Sequence, residues 1–180
     1  MVKQFSISAI LIAFLAMSFA AISNWKIADN SAITFKLKSL AGSIDGSVGG
    51  LKGSIVFDPN TAKNSKMDVT FDLSTIRTGI DKRDNDLKKN EKWFDIAKYP
   101  LIAFKSNNIA KSKNGYIVDG TLTIKGISKD TQVPFAFSDA DGNASFTGTL
   151  KINRLDFNLG QASPAVKDDV EVAINVPVKK

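Results

Sequence analysis

At 180 residues and 43% hydrophobic, the chain is sized for one domain with a core of its own. It contains no His and no Cys, which excludes imidazole-dependent catalytic triads, disulfides and the usual zinc and copper ligand sets. The formal charge of +6 is scattered, with no Lys/Arg cluster on one element, so nucleic acid is not an expected partner, whereas weak attraction to an anionic membrane surface is.

In chain order, "MVKQFSISAILIAFLAMSFA" opens with a single early cation, Lys3, and carries no charge from Phe5 to Ala21. Small residues at Ser18 and Ala20 suit a cut after residue 20, so residues 1–20 are expected to be a secretory signal peptide. The domain is then residues 21–180, located in the periplasm or secreted. "SAITFKLK" places Ile33, Phe35 and Leu37 on one face of a strand and Thr34, Lys36 and Lys38 on the other. "GSIDGSVGGLKG" is rich in glycine but lacks the Gly-Lys-Ser/Thr order of a phosphate loop. "LKGSIVFD" aligns Gly53, Ile55 and Phe57. In "SKMDVTFDLSTI", Met67, Val69, Phe71 and Leu73 alternate with polar residues, predicting a strand over 65–76.

Residues 79–106 break the alternation. Asp81 is placed to cap a helix and Asp84 to complement its N-terminal dipole. Ile80, Leu87 and Phe94 recur every seven residues on one helical face, Trp93 adjoins it, and Pro100 prevents the helix from continuing. A short strand is expected around Ile102 and Phe104, then a strand over 115–126. Strands follow with Val133, Phe135 and Phe137 on one side, with Phe146, Gly148, Leu150 and Ile152 aligned, and with Val170 to Val178 alternating. "DADGN" at 139–143 is too short for a calcium loop and is expected to be a hairpin turn.

About eight one-sided strands must bury their apolar faces in a sandwich or a closed barrel. Their length and their content of Phe favour the barrel. The periodicity does not decide between a filled interior and a ligand cavity. In either case the 81–94 segment is expected to lie over one barrel end, with Leu87, Trp93 and Phe94 turned inward.

The runs "STIRTGIDKRDNDLKKNEKWFDIAKYPLIAFKS" and "GYIVDGTLTIKGISKDTQVPF" resemble the YceI-like family, exported bacterial proteins with a lipocalin-like barrel that bind isoprenoid or other lipid chains. The likeness extends colinearly from "DNSAITFKLK" through "INRLDFNLG" to the last strand. It implies an all-β fold, an antiparallel eight-stranded barrel with a short helical cap after the fourth strand region. It also implies a cavity lined by Ile33, Phe35, Leu37, Phe71, Leu87, Trp93, Phe94, Phe104, Phe135, Phe137 and Phe146. Arg83, Asp84 and Arg154 are candidate head-group contacts; as purely structural residues, Arg83 and Asp84 would pair with other charges and pin the cap, and Arg154 would pair with Asp156. The implied partner is a long-chain isoprenoid, quinone-like or fatty-acyl lipid, and a homodimer is compatible with the resemblance. No catalytic role, metal or cofactor is expected. Asn30 and Asp86 stand where the family often has His, and Val48 where an aromatic is expected, so any imidazole contact to ligand or metal does not transfer. The alternative is a closed-core barrel that binds protein or glycan.

Overall fold

The computed structural model describes residues 23–140 and 143–180. The expected signal peptide over 1–20, and Asp141 and Gly142 at the centre of the expected 139–143 turn, lie outside them. Ten strand segments form one antiparallel sheet: β1 (Asn24–Ile27), β2 (Ala32–Ser39), β3 (Gly42–Val48), β4 (Lys52–Val56), β5 (Lys66–Asp72), β6 (Leu101–Ser112), β7 (Gly115–Ile124), β8 (Ile127–Ala140), β9 (Asn143–Asn153) and β10 (Val166–Lys179). Among the described residues there is one α-helix, α1 (Asp81–Lys89), between β5 and β6.

The sheet closes. β10 pairs with β9 on one edge and with both β1 and β2 on the other, and β1 also pairs with β4. β1 and β2 are thus two halves of one barrel strand, and β3 and β4 of the next, which leaves eight strands around the ring. Closure removes the open sheet edges that would otherwise invite pairing with other chains. One stretch escapes: β3 pairs with β2 on one edge, and its other edge carries only a bridge between Ser47 and Arg77.

Four features differ from the sequence expectation. β5 stops at Asp72 because the chain turns through a 3-10 segment, Leu73–Thr75, whose start is held by the Asp72 carboxylate accepting from Ser74 N at 2.8 Å. The short strand around Ile102 is the first half of the 12-residue β6. The glycine-rich stretch at 42–48, in which no strand was expected, is β3. The expected 115–126 strand ends at Ile124, where Lys125 (φ 51°) and Gly126 (φ 74°) form the two-residue turn into β8.

Even-numbered residues of β7 point inward and are buried from Val118 onward, as are Val133 and Phe135 of β8. The connections after β5, β7 and β9 and the β2–β3 turn lie at one end of the barrel. Those after β4, β6 and β8 lie at the other.

Candidate functional site

The second of these ends is plugged by aromatic rings. Phe57, 0% exposed, sits at the centre, with ring centroids 5.0 Å from Tyr116, 5.6 Å from Phe135, 5.0 Å from Phe137 and 5.3 Å from Phe146. Trp25 packs edge-on against Phe137 and donates its indole N–H to Phe57 O at 2.9 Å. These tilted and edge-to-face arrangements are the favoured geometry for aromatic quadrupoles.

Above this floor the interior is not filled by side chains. A cavity of about 440 Å³ runs from the plug to the opposite end of the barrel. That volume lies within the range of small-molecule sites, roughly 300–1,000 Å³. Two aromatic residues of the wall keep clear of the lumen by lying over glycines. The Phe35 ring covers Gly46, its cross-strand partner, and the Phe104 ring covers Gly120; a side chain at either glycine would overlap the ring.

Of the residues expected to line the cavity, Ile33, Phe35, Leu37, Phe71, Leu87, Trp93, Phe94, Phe104, Phe135 and Phe146 are brought together around it. Phe137 is the exception. It points inward from β8, but so near the closed end that it is part of the plug and lies outside the cavity. The sequence pattern could assign a residue to the inner face but not to a height along the barrel axis. Other wall positions carried no individual mark in the sequence: Val48 and Leu51, in and just after the glycine-rich segment, and aliphatics such as Val118, Leu122, Val172 and Val176. Strict alternation in β7 and β10 was the signal that could have found the last four.

The mouth is covered by the segment that follows β5. α1 is shorter than its apolar heptad suggested. Ile80, not Asp81, occupies the N-cap position, the helix ends at Lys89, and Trp93 and Phe94 follow in turns. Phe94 still lies beside Leu87, because Phe94 N donates to Leu87 O at 3.1 Å. Ile80, expected on the inward face, is 53% exposed.

Four polar residues join this apolar lining: Thr78, Arg83, Asp86 and Arg154. Arg83 donates from Nε to Thr78 Oγ1 and from Nη2 to Thr78 O, both at 2.7 Å. The Asp84 carboxylate, buried behind them and outside the cavity, accepts from Thr78 N at 2.7 Å and from the Thr78 hydroxyl. Both side chains therefore pin the start of the cap through Thr78; among the described residues neither has an ion-pair partner, contrary to the charge pairing expected for them. Arg154, 2% exposed, pairs with Asp168 at 2.7 Å and not with Asp156. The reason is the 3-10 turn at Arg154–Phe157, which lets the guanidinium also donate to the carbonyls of Leu159, Gln161 and Lys167 across the β9–β10 connection. Asp86 is exposed at the rim and accepts from Asn90 Nδ2 at 3.0 Å. Asn30 is exposed in the turn between β1 and β2 and does not line the cavity.

The cap is tied to the barrel on its far side as well. Gly160 N donates to Lys92 O at 2.6 Å, and Lys125 Nζ donates to Glu91 O at 2.6 Å and to Asn158 O at 2.9 Å. Among the described residues no group of three or more His, Cys, Asp or Glu could hold a metal ion. The walls offer hydrocarbon contact and shape, and polar groups stand only at the mouth. Such a site can hold an elongated apolar molecule with a small polar end.

A model of the YceI-like domain matches residues 25–178. A UPF0312 protein of Yersinia enterocolitica is 27% identical over 159 residues, 84% of this chain and 82% of that one. Among solved structures, BcnA of Burkholderia cenocepacia superposes with a TM-score of 0.77 at 27% identity, covering 83% of this chain and 96% of that one. The YCEI protein of Campylobacter jejuni gives 0.68 at 28% identity over 76% of this chain and 85% of its own. A polyisoprenoid-binding domain from Saccharophagus degradans gives 0.64 at 17% identity over 88% of this chain and 98% of its own, a likeness of fold.

Proposed function

The chain belongs to the YceI-like domain family, and on that footing we propose that it is an exported, non-enzymatic binding protein that holds a polyisoprenoid or similar long-chain lipid inside its barrel. The observation that carries this reading is the cavity: about 440 Å³, apolar along its walls, plugged by aromatic rings at one end and bordered by Thr78, Arg83, Asp86 and Arg154 at the other. A neighbour in fold is described as polyisoprenoid-binding, which supports the same class of ligand.

The energetics agree with a hydrocarbon ligand. Each CH₂ taken out of water is worth about 0.8 kcal/mol, so a five-carbon isoprene unit supplies roughly 3–4 kcal/mol gross. A few units exceed the roughly 4–15 kcal/mol lost to translational and rotational ordering on association. Affinity therefore needs no dedicated polar chemistry, and the mouth residues set the direction in which the chain enters. Carriage or protection of such a lipid through the aqueous space outside the cytoplasm is the role this suits.

Titration of lipid-stripped protein with a short polyprenol, read by tryptophan fluorescence, tests the reading. Trp93 lines the cavity and is expected to report saturable binding. No spectral change and no measurable heat of binding with polyprenols or fatty acids would contradict it.

A further inference from the structure

The three large apolar side chains most exposed among the described residues are Leu40 at 82%, Ile80 at 53% and Leu101 at 47%. All three lie at the mouth end, and none is at the plugged end. Leu40 is at the turn of the β2–β3 hairpin, Ile80 immediately precedes α1, and Leu101 opens β6. Single exposed aliphatics are ordinary on protein surfaces. Their gathering around the one open end of an apolar cavity is not accounted for by folding, since none of the three lines that cavity or belongs to the core.

The mouth also has a weak side. β3 is bonded to β2 along its length, but its other edge meets only the bridge from Ser47 to Arg77. From that bridge the chain runs antiparallel to β3 up to Ile80 and α1. The barrel wall therefore has a seam between the β3 edge and the cap, lined within by Leu37 and Ile44 on the hairpin and Leu87 on α1. Leu40 stands on one side of this seam and Ile80 on the other. Lys38 lies two residues before Leu40 and Lys82 two residues after Ile80; both are exposed, as are Lys89 at the end of α1 and the acidic Asp81 and Asp86, while Lys36 and Asp45 offset each other at 3.5 Å. The far side of the cap, by contrast, is fastened by Gly160 and Lys125.

We propose that the rim of this seam, with Leu40 and Ile80 as its apolar points and the neighbouring lysines as its charges, is a docking surface for an anionic lipid bilayer. The inference deepens the lipid-binding reading and takes its purpose from it. Two aliphatic side chains sink below the headgroups, lysines meet anionic headgroups, and the seam faces the membrane. A long hydrocarbon chain can then pass between bilayer and barrel without crossing bulk water, a step that would otherwise expose its whole length.

The test is flotation with vesicles of phosphatidylcholine containing a minority of phosphatidylglycerol, comparing the full chain with a Leu40→Ser/Ile80→Ser variant. Surface positions of this kind leave the fold intact, which a thermal melt checks. The wild type is expected to float, less so in high salt, and the variant to partition at least about tenfold more weakly. Transfer of a fluorescent fatty-acyl probe from the vesicles is expected to slow in the variant, while uptake of the same probe in vesicle-free buffer stays at the wild-type level. A wild type that does not float, or a variant that floats equally well, overturns the docking surface. Flotation without any probe uptake in vesicle-free buffer supports the docking surface and overturns the lipid-binding reading instead.

Discussion

The indole of Trp93 rests against Gly160, so closely that a side chain's first carbon at that glycine would lie 2.7 Å from its Cη2 atom. Gly160 has a φ of 73°, a conformation that glycine adopts without strain. The pair fastens the far side of the cap to the β9–β10 connection, so the mouth has one fixed flank and one free flank.

Truncating Trp93 removes a cavity wall and this fastening together. Trp93→Ala is expected to leave the far-UV circular dichroism of the barrel unchanged and to speed release of a fluorescent fatty-acyl analogue by about tenfold, since affinity changes within one interface fall mainly on the off-rate. Release at the wild-type rate would make this segment ordinary closure.

Arg154 holds the same connection from within. Replacing it by Met keeps the stem but leaves the carbonyls of Leu159, Gln161 and Lys167 without their donor. A loss of about 3 kcal/mol in urea unfolding is expected from these unpaired acceptors. A loss under about 1 kcal/mol would show that water satisfies them and that the buried guanidinium is not what orders the mouth.

The plug and the cavity wall should respond differently to the same truncation. Phe57→Ala opens a hole among close-packed rings and is expected to cost about 3–5 kcal/mol. Phe104→Ala borders space that is already open and should cost clearly less in ligand-free protein. Equal losses would indicate that the interior is packed throughout.

Two carboxylates tie stability to pH. Asp58 is held below the ordinary carboxylate range by the Thr61 hydroxyl and then by Asn60 N, and Asp72 by hydrogen bonding from Ser74. A carboxyl whose folded pKa is depressed stabilises the fold above its unfolded value, near 3.8, and loses that contribution as pH falls through the folded value. Melting temperature is expected to be insensitive to these groups at neutral pH and to fall below about pH 4. The Asp58→Asn/Asp72→Asn variant should show a shallower acid decline, measured by thermal melts across that range.

Much of this arrangement was legible in the sequence because a barrel wall is a period-two pattern, and β2, β5, β7, β9 and β10 alternate cleanly. β3 was not legible: in "GSIDGSV" only Ile44 and Val48 are apolar, and its strand character comes from pairing with β2. Phe137 was placed on the correct face but not at the correct depth, which is set by its meeting Trp25 and Phe57 across the barrel. The partner of Arg154 was misjudged because proximity in sequence favoured Asp156, whereas the turn after β9 carries the guanidinium toward Asp168 on β10. Ile80 fitted the heptad, but the helix begins after it, so the face it would have shared does not reach it.

A barrel that holds a long hydrocarbon chain should keep it through a gentle purification. Native mass spectrometry of the protein purified from its own host without detergent, followed by solvent extraction and identification of the bound material, tests this most directly. A one-to-one complex is expected, whose ligand carries a long hydrocarbon chain, isoprenoid in the proposed case, and is lost on extraction. Protein that emerges free of lipid, and that still takes up no polyprenol or fatty acid when these are supplied, would contradict it.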